Sequence, residues 1–126
     1  MPVANVALWI VQGALALVYL MAGGIKVFQP IALLSKSMTW VSATPPVFVR
    51  LIGIAELLGA IGLILPMLTG IVPGLVVVAA IGLALVQISA AIFHLARHEG
   101  GNIAMNLVLL LLALFVAIGR LLIVKA

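Results

Sequence analysis

The sequence predicts an all-α integral membrane protein: a bundle of four transmembrane helices, with an interfacial helix between the first and the second. Three observations carry this reading. Hydrophobic residues make up 67% of the 126 residues and charged ones only 6%, a balance that excludes an ordinary soluble core. Apolar runs of about 20 residues recur, each long enough at about 1.5 Å per residue to cross roughly 30 Å of hydrocarbon. Pro30, the Pro45-Pro46 pair, Pro66 and Pro73 all fall at the ends of those runs, where a missing N–H and a fixed φ do least harm. The four runs account for nearly the whole chain, so residues 1–126 read as a single domain.

The first span is expected over Asn5 to Phe28. It lacks a basic leading segment and is longer than the apolar core of a secretory signal, so it reads as a retained helix. The second is expected over Val47 to Leu65, the third over Gly74 to Leu95 and the fourth over Ile103 to Val124. Pro66 to Pro73 is a short uncharged turn, which makes the second and third helices antiparallel neighbours. Between the first two spans, Ile31 to Thr44 reads IALLSKSMTWVSAT. Leu33, Leu34 and Met38 give it an apolar side, and Lys36 and Trp40 suit the headgroup layer, so it is expected to be an interfacial helix or re-entrant cap.

Four spans put the loops after helices one and three on one side, side A, and the middle turn on side B. Lys26, Lys36, Arg50 and Arg97 border side A, against Arg120 and Lys125 on side B. The positive-inside rule then places side A in the cytoplasm. The net charge of +4 sits at helix ends rather than on one polar face, which points to anionic lipid and away from nucleic acid. There is no cysteine, so disulfides, thiolate metal sites and dithiol redox chemistry are excluded.

Within this apolar background Glu56 stands out. It is one of two acids, and a bare carboxylate at bilayer depth is costly enough to count as a functional hypothesis. Arg50 lies six residues earlier, about 120° around the helix, and so is poorly placed to pair with it. A partner is expected from another segment, with a Lys26 ammonium reaching down the more plausible choice. If no cation reaches it, Glu56 should be neutral, able to donate a hydrogen bond or carry a proton.

Counting residues from side A places Tyr19, Glu56 and Gln87 in one layer roughly 12–13 Å deep. Lys26, Arg50, His94 and Asn106, one from each helix, form a second and more basic layer above it. Gln12, Tyr19 and Lys26 recur every seven residues, as do Gln87 and His94, so each set shares a helix face. Gly53 and Gly59 flank Glu56 and allow close approach of a helix or a flat ligand.

Each of these residues also has a plainer reading. Buried polar groups often only join helices, at about 0.6 kcal/mol per hydrogen bond, and the glycines fit helix packing. Arg97, His98, Glu99 and Lys125 read as solvated or headgroup-facing charges. With only two histidines, no metal site is expected.

The segments GGIKVFQP, P-x-x-x-R-x-I-G-I-A-E-L-L-G-A-I-G-L-I-L-P, A-x-x-F-H-L-x-R and AIGR together resemble the DoxX-like family of four-helix membrane proteins. The most specific part is Arg50 with Ile52-Gly53 and Glu56, supported by Lys26, Pro66, His94 and Arg120. The resemblance implies a four-helix bundle in a bacterial cytoplasmic membrane, without a settled activity. Family relatives include a subunit of a thiosulfate:quinone oxidoreductase, and others are linked to redox partners or membrane-protein assembly.

Three functions stay open. The first is a subunit binding a quinone-like or lipid-like molecule at Glu56, Lys26, Arg50, Tyr19, Gln87, His94 and Asn106, with a quinone as the implied cofactor and a redox subunit as partner. The second is a small proton-coupled transporter acting as a homo-oligomer, and the third is an assembly or scaffolding protein without chemistry. The first is favoured because the polar layers open toward one side, as a pocket does. Whether the chain is an enzyme stays open.

Overall fold

The computed structural model describes residues 3–126. Five helices follow in order: α1 (Val3–Phe28), α2 (Ile31–Ser37), α3 (Pro46–Thr69), α4 (Leu75–Ala96) and α5 (Gly100–Ile118). A 3-10 turn, Thr39–Ala43, joins α2 to α3, and α5 runs on into one π-helical turn, Gly119–Ile123. The four long helices are each long and apolar enough to cross a membrane. The chain is a multi-pass membrane protein.

Prolines and glycines place most of the boundaries. Pro30 ends α1 and, in extended conformation, presents its carbonyl to the amides of Leu33 and Leu34, both at 3.0 Å, to start α2. Pro46 takes the first position of α3, where no amide is needed. Gly70 stops α3 at φ 74°, a left-handed conformation that costs a glycine little.

Pro66 is a correction to the expected boundary. It lies inside α3, which continues to Thr69. Pro66 has no N–H to give the Gly62 carbonyl, but a spanning helix tolerates one missing bond where neighbouring groups compensate. The last turn is tied instead by the Thr69 hydroxyl, which donates to the Leu65 carbonyl at 2.7 Å. The expected interfacial segment divides in two, α2 and the 3-10 turn. Its inner side buries Leu34 and Val41 against Val49, with Ile25, Ile31, Met38 and Trp40 packed around them.

The helices form an arc in which α1 packs on α3, α3 on α4 and α4 on α5, closed by a thinner seam between α1 and α5. The α1–α3 crossing is close because neither helix has a side chain there. A Cβ at Gly23 would lie 2.7 Å from the Gly53 carbonyl oxygen, and one at Gly53 would lie 2.8 Å from the Lys26 Cβ. In lipid, association depends on such contact more than on apolar burial. The core at the centre is made of Leu15, Leu63, Val76, Leu83, Val116 and several alanines.

The polarity is turned inside out. Leu17, Leu58, Val78, Leu85 and Leu111 are exposed, while Gln12, Tyr19, Lys26, Glu56, Gln87, His94 and Arg120 are buried. Lipid is the solvent in which that distribution is favourable.

Candidate functional site

Lys26 and Glu56 meet where α1 crosses α3. Lys26 lies one turn after Gly23 and Glu56 one turn after Gly53, so the glycine contact sets their spacing. The Lys26 ammonium donates to Glu56 Oε1 at 2.6 Å, and the side chains are only 11% and 5% exposed. The pair carries no net charge, which lowers the cost of holding each ion away from water. Arg50 does not join it. Its Nη1 donates to the carbonyls of Lys26 (2.8 Å) and Gln29 (2.6 Å), tying down acceptors that the end of α1 leaves without helical partners.

Beside this pair a second group links three helices. Gln87 of α4 donates through Nε2 to the Tyr19 hydroxyl of α1 at 2.8 Å and accepts through Oε1 from Asn106 Nδ2 of α5, also at 2.8 Å. Tyr19 and Gln87 are buried. Among the described residues, Asn106 Oδ1 is a buried acceptor with no donor. Turning both amides over and letting Tyr19 donate preserves both links and leaves an N–H at the open end. The chain can therefore present either an acceptor or a donor there.

His94 joins a third group. Its Nδ1 lies 3.0 Å from Glu99 Oε1, which also accepts from Arg97 Nε at 2.7 Å, while the Thr39 hydroxyl donates to Glu99 Oε2 at 3.3 Å. The His94 hydrogen bond, then that of Arg97, holds the Glu99 carboxyl below the usual carboxylate range. Glu99 and Arg97 are thus an ion pair at the α4–α5 turn, not the independent solvated charges expected. Trp40 covers this end: its ring centroid lies 6.3 Å from that of His94, 6.4 Å from that of Phe93 and 6.0 Å from Lys26 Nζ. The cap therefore spans the ion pair and the histidine.

The seven residues singled out from the sequence thus fall into an ion pair, a three-membered chain, a helix-end clamp at Arg50 and a histidine under the cap. Two apolar grooves lie elsewhere. One of about 650 Å³ runs between the outward faces of α3 and α4, past Leu58, Gly62, Ala79 and Gly82, and one of about 350 Å³ runs between α1 and α3. None of the seven lines either.

Arg120 was the main omission. Read as a headgroup-flanking charge, it is 1% exposed and lies against α1. The signal was its register: Ala113, Ala117 and Arg120 recur at helical spacing, and the two small residues mark the face of α5 that packs inward. With Lys26, Arg50 and Arg120 engaged inside the bundle, the surface charge asymmetry rests on Lys36 and Arg97 against Lys125.

Residues 10–116 match the sequence profile of the DoxX-like family, a range that contains the ion pair, the amide chain and the cap. The chain belongs to the DoxX-like family. In this DoxX-like protein, Asn5 and Arg120 lie outside the matched range. No match was found among curated proteins or among solved structures.

Proposed function

We propose that this DoxX-like protein binds the polar head of a small hydrophobic molecule, quinone-like or lipid-like, at the Tyr19–Gln87–Asn106 chain beside the Lys26–Glu56 pair. The observation that carries the proposal is the donorless buried oxygen of Asn106, since a buried polar atom without a partner is costly and a ligand group is one way to satisfy it. A quinone fits the donor set, because the reversible amide chain offers an N–H to a carbonyl or an oxygen to a hydroxyl. When bound, a quinone would supply two-electron, two-proton chemistry. Lys26 Nζ, Glu56 Oε1 and the Tyr19 hydroxyl are the proton-holding atoms nearby. Entry from lipid through the thin α1–α5 seam would bring the head group to Asn106.

On this reading the protein is the membrane subunit of a redox system in the bacterial cytoplasmic membrane. A partner subunit would carry the electrons, because the chain has no cysteine to do so. Native mass spectrometry of gently solubilised wild type, Asn106→Leu and Glu56→Gln tests it. A discrete co-purified small molecule, lost in Asn106→Leu, is the expected result. Wild type carrying none, or Asn106→Leu retaining it, would overturn the proposal.

One observation favours a second reading, a scaffold whose polar layer fixes helix register: Lys26 and Glu56 already satisfy each other. In that case Asn106→Leu would lower thermal stability and change no bound mass.

A further inference from the structure

At the opposite end of the bundle from Trp40, a buried arginine has neutral partners only. Arg120 Nε donates to Gln12 Oε1 at 2.7 Å, and Nη1 donates to Asn5 Oδ1 at 2.6 Å and to the Val124 carbonyl at 3.3 Å. The guanidinium carbon stands 5.5 Å from the centroid of the Trp9 ring. Gln12 is itself fixed, because its Nε2 donates to the Leu63 carbonyl at 2.7 Å. Gly119 lets α5 close on Leu8 of α1, which brings Arg120 alongside these groups.

These contacts occupy donors but bring no side-chain carboxylate to the guanidinium. The chain has two acids. Glu56 pairs with Lys26, and Glu99 pairs with Arg97 and His94 at the Trp40 end. Among the described residues, no carboxylate lies within ion-pair distance of Arg120, and its Nη2 is buried with no acceptor. A full charge out of water without a counter-ion is among the costliest arrangements in a membrane protein. Asn5 and Val124, which hold Nη1, are half-buried, so the guanidinium lies just beneath the surface at this end.

We propose that Arg120, positioned by Gln12 and Asn5, binds one phosphate oxyanion at this end of the bundle. The phosphate takes Nη2 and displaces the Asn5 oxygen from Nη1, giving the two parallel charge-assisted bonds for which a guanidinium is shaped. Lys125, next to Val124, adds a second positive charge. The depth suits a lipid headgroup, and free phosphate has the same chemistry.

Binding is read by native mass spectrometry and by the melting temperature in neutral detergent. The probes are dioleoylphosphatidylglycerol, dioleoylphosphatidylcholine and inorganic phosphate, each added to the full chain. Wild type is expected to retain one phosphatidylglycerol and to melt higher with it. Stabilisation by inorganic phosphate, with no preference between the lipids, would assign the same site to the free ion. Arg120→Gln should weaken either response by about tenfold or more. Asn5→Asp guards against a folding artefact, because it supplies an internal carboxylate. It should raise the melting temperature of the lipid-free protein and still abolish the added stabilisation. An unchanged response in Asn5→Asp, or no response of the wild type to any of the three probes, would overturn the proposal.

Discussion

Replacing one member of the Lys26–Glu56 pair should destabilise the bundle, by an amount that depends on which member is lost. Removing one partner of a buried, hydrogen-bonded ion pair costs about 3–5 kcal/mol, because the survivor remains out of water and uncompensated. The pair is 2.6 Å apart and its side chains are 11% and 5% exposed, so both changes belong in that range. Lys26 lies in the last turn of α1, and its flexible stem allows the ammonium to reach the headgroups past Trp40. Glu56→Gln should therefore cost about 3 kcal/mol. Lys26→Met leaves Glu56 deeper in α3 with no other ion-pair partner among the described residues; the carboxyl then takes up a proton, which holds the cost to about 4 kcal/mol near neutral pH. The double variant removes both ions and should be at least about 2 kcal/mol more stable than Lys26→Met alone. Reversible unfolding in mixed anionic and neutral micelles measures all four proteins. Single variants within about 1 kcal/mol of wild type, with an additive double, would refute the assignment of this pair as a buried, mutually dependent unit.

Two further outcomes follow from the geometry. Gly53→Ala should cost about 1–3 kcal/mol, since its Cβ would press on Lys26 and on the Gly23 carbonyl, whereas Gly24→Ala meets open space and should be neutral or slightly stabilising; equal thermal stabilities for the two would contradict the close α1–α3 crossing. Glu99 is held below the usual carboxylate range in the folded protein, so the unfolded chain takes up its proton first as pH falls. The stability it contributes is complete above its unfolded pKa of about 4.3 and is lost as pH drops through the lower folded value. Melting curves against pH should show that acid limb reduced in Glu99→Gln, and superimposable wild-type and variant profiles would remove Glu99 from the turn's stabilisation.

The spans were readable because the apolar runs and the prolines agree at most ends. Pro66 misled because the rule that proline ends a helix is weaker in lipid, and nothing local distinguishes a terminal proline from one followed by another turn. The Lys26–Glu56 pairing was legible from two facts together: Arg50 is a poor angular match, and Lys26 is the cation at the end of the helix that crosses nearby. Tyr19, Gln87 and Asn106 could be placed near one another by depth, but which donates to which depends on how the helices face each other. Glu99 looked solvated because its contact with His94 requires a tight turn, with His98 at φ 58°, that no residue in the segment announces. Arg120 was ambiguous in kind, since a cation one turn from a helix end suits a headgroup and a buried clasp equally well.

The proposed binding of a head group at the Tyr19–Gln87–Asn106 chain, beside the ion pair that Trp40 covers, is tested most directly through Trp40 fluorescence. The protein has two tryptophans, so Trp9→Phe leaves Trp40 as the only indole, 6.0 Å from the Lys26 ammonium. Titrating that protein with a short-chain quinone in micelles should give saturable quenching of its fluorescence, and adding Asn106→Leu should remove the saturable phase. Quenching that rises linearly with quinone, and equally in both proteins, would mean that the molecule only partitions into the micelle and that the polar centre is not its binding site.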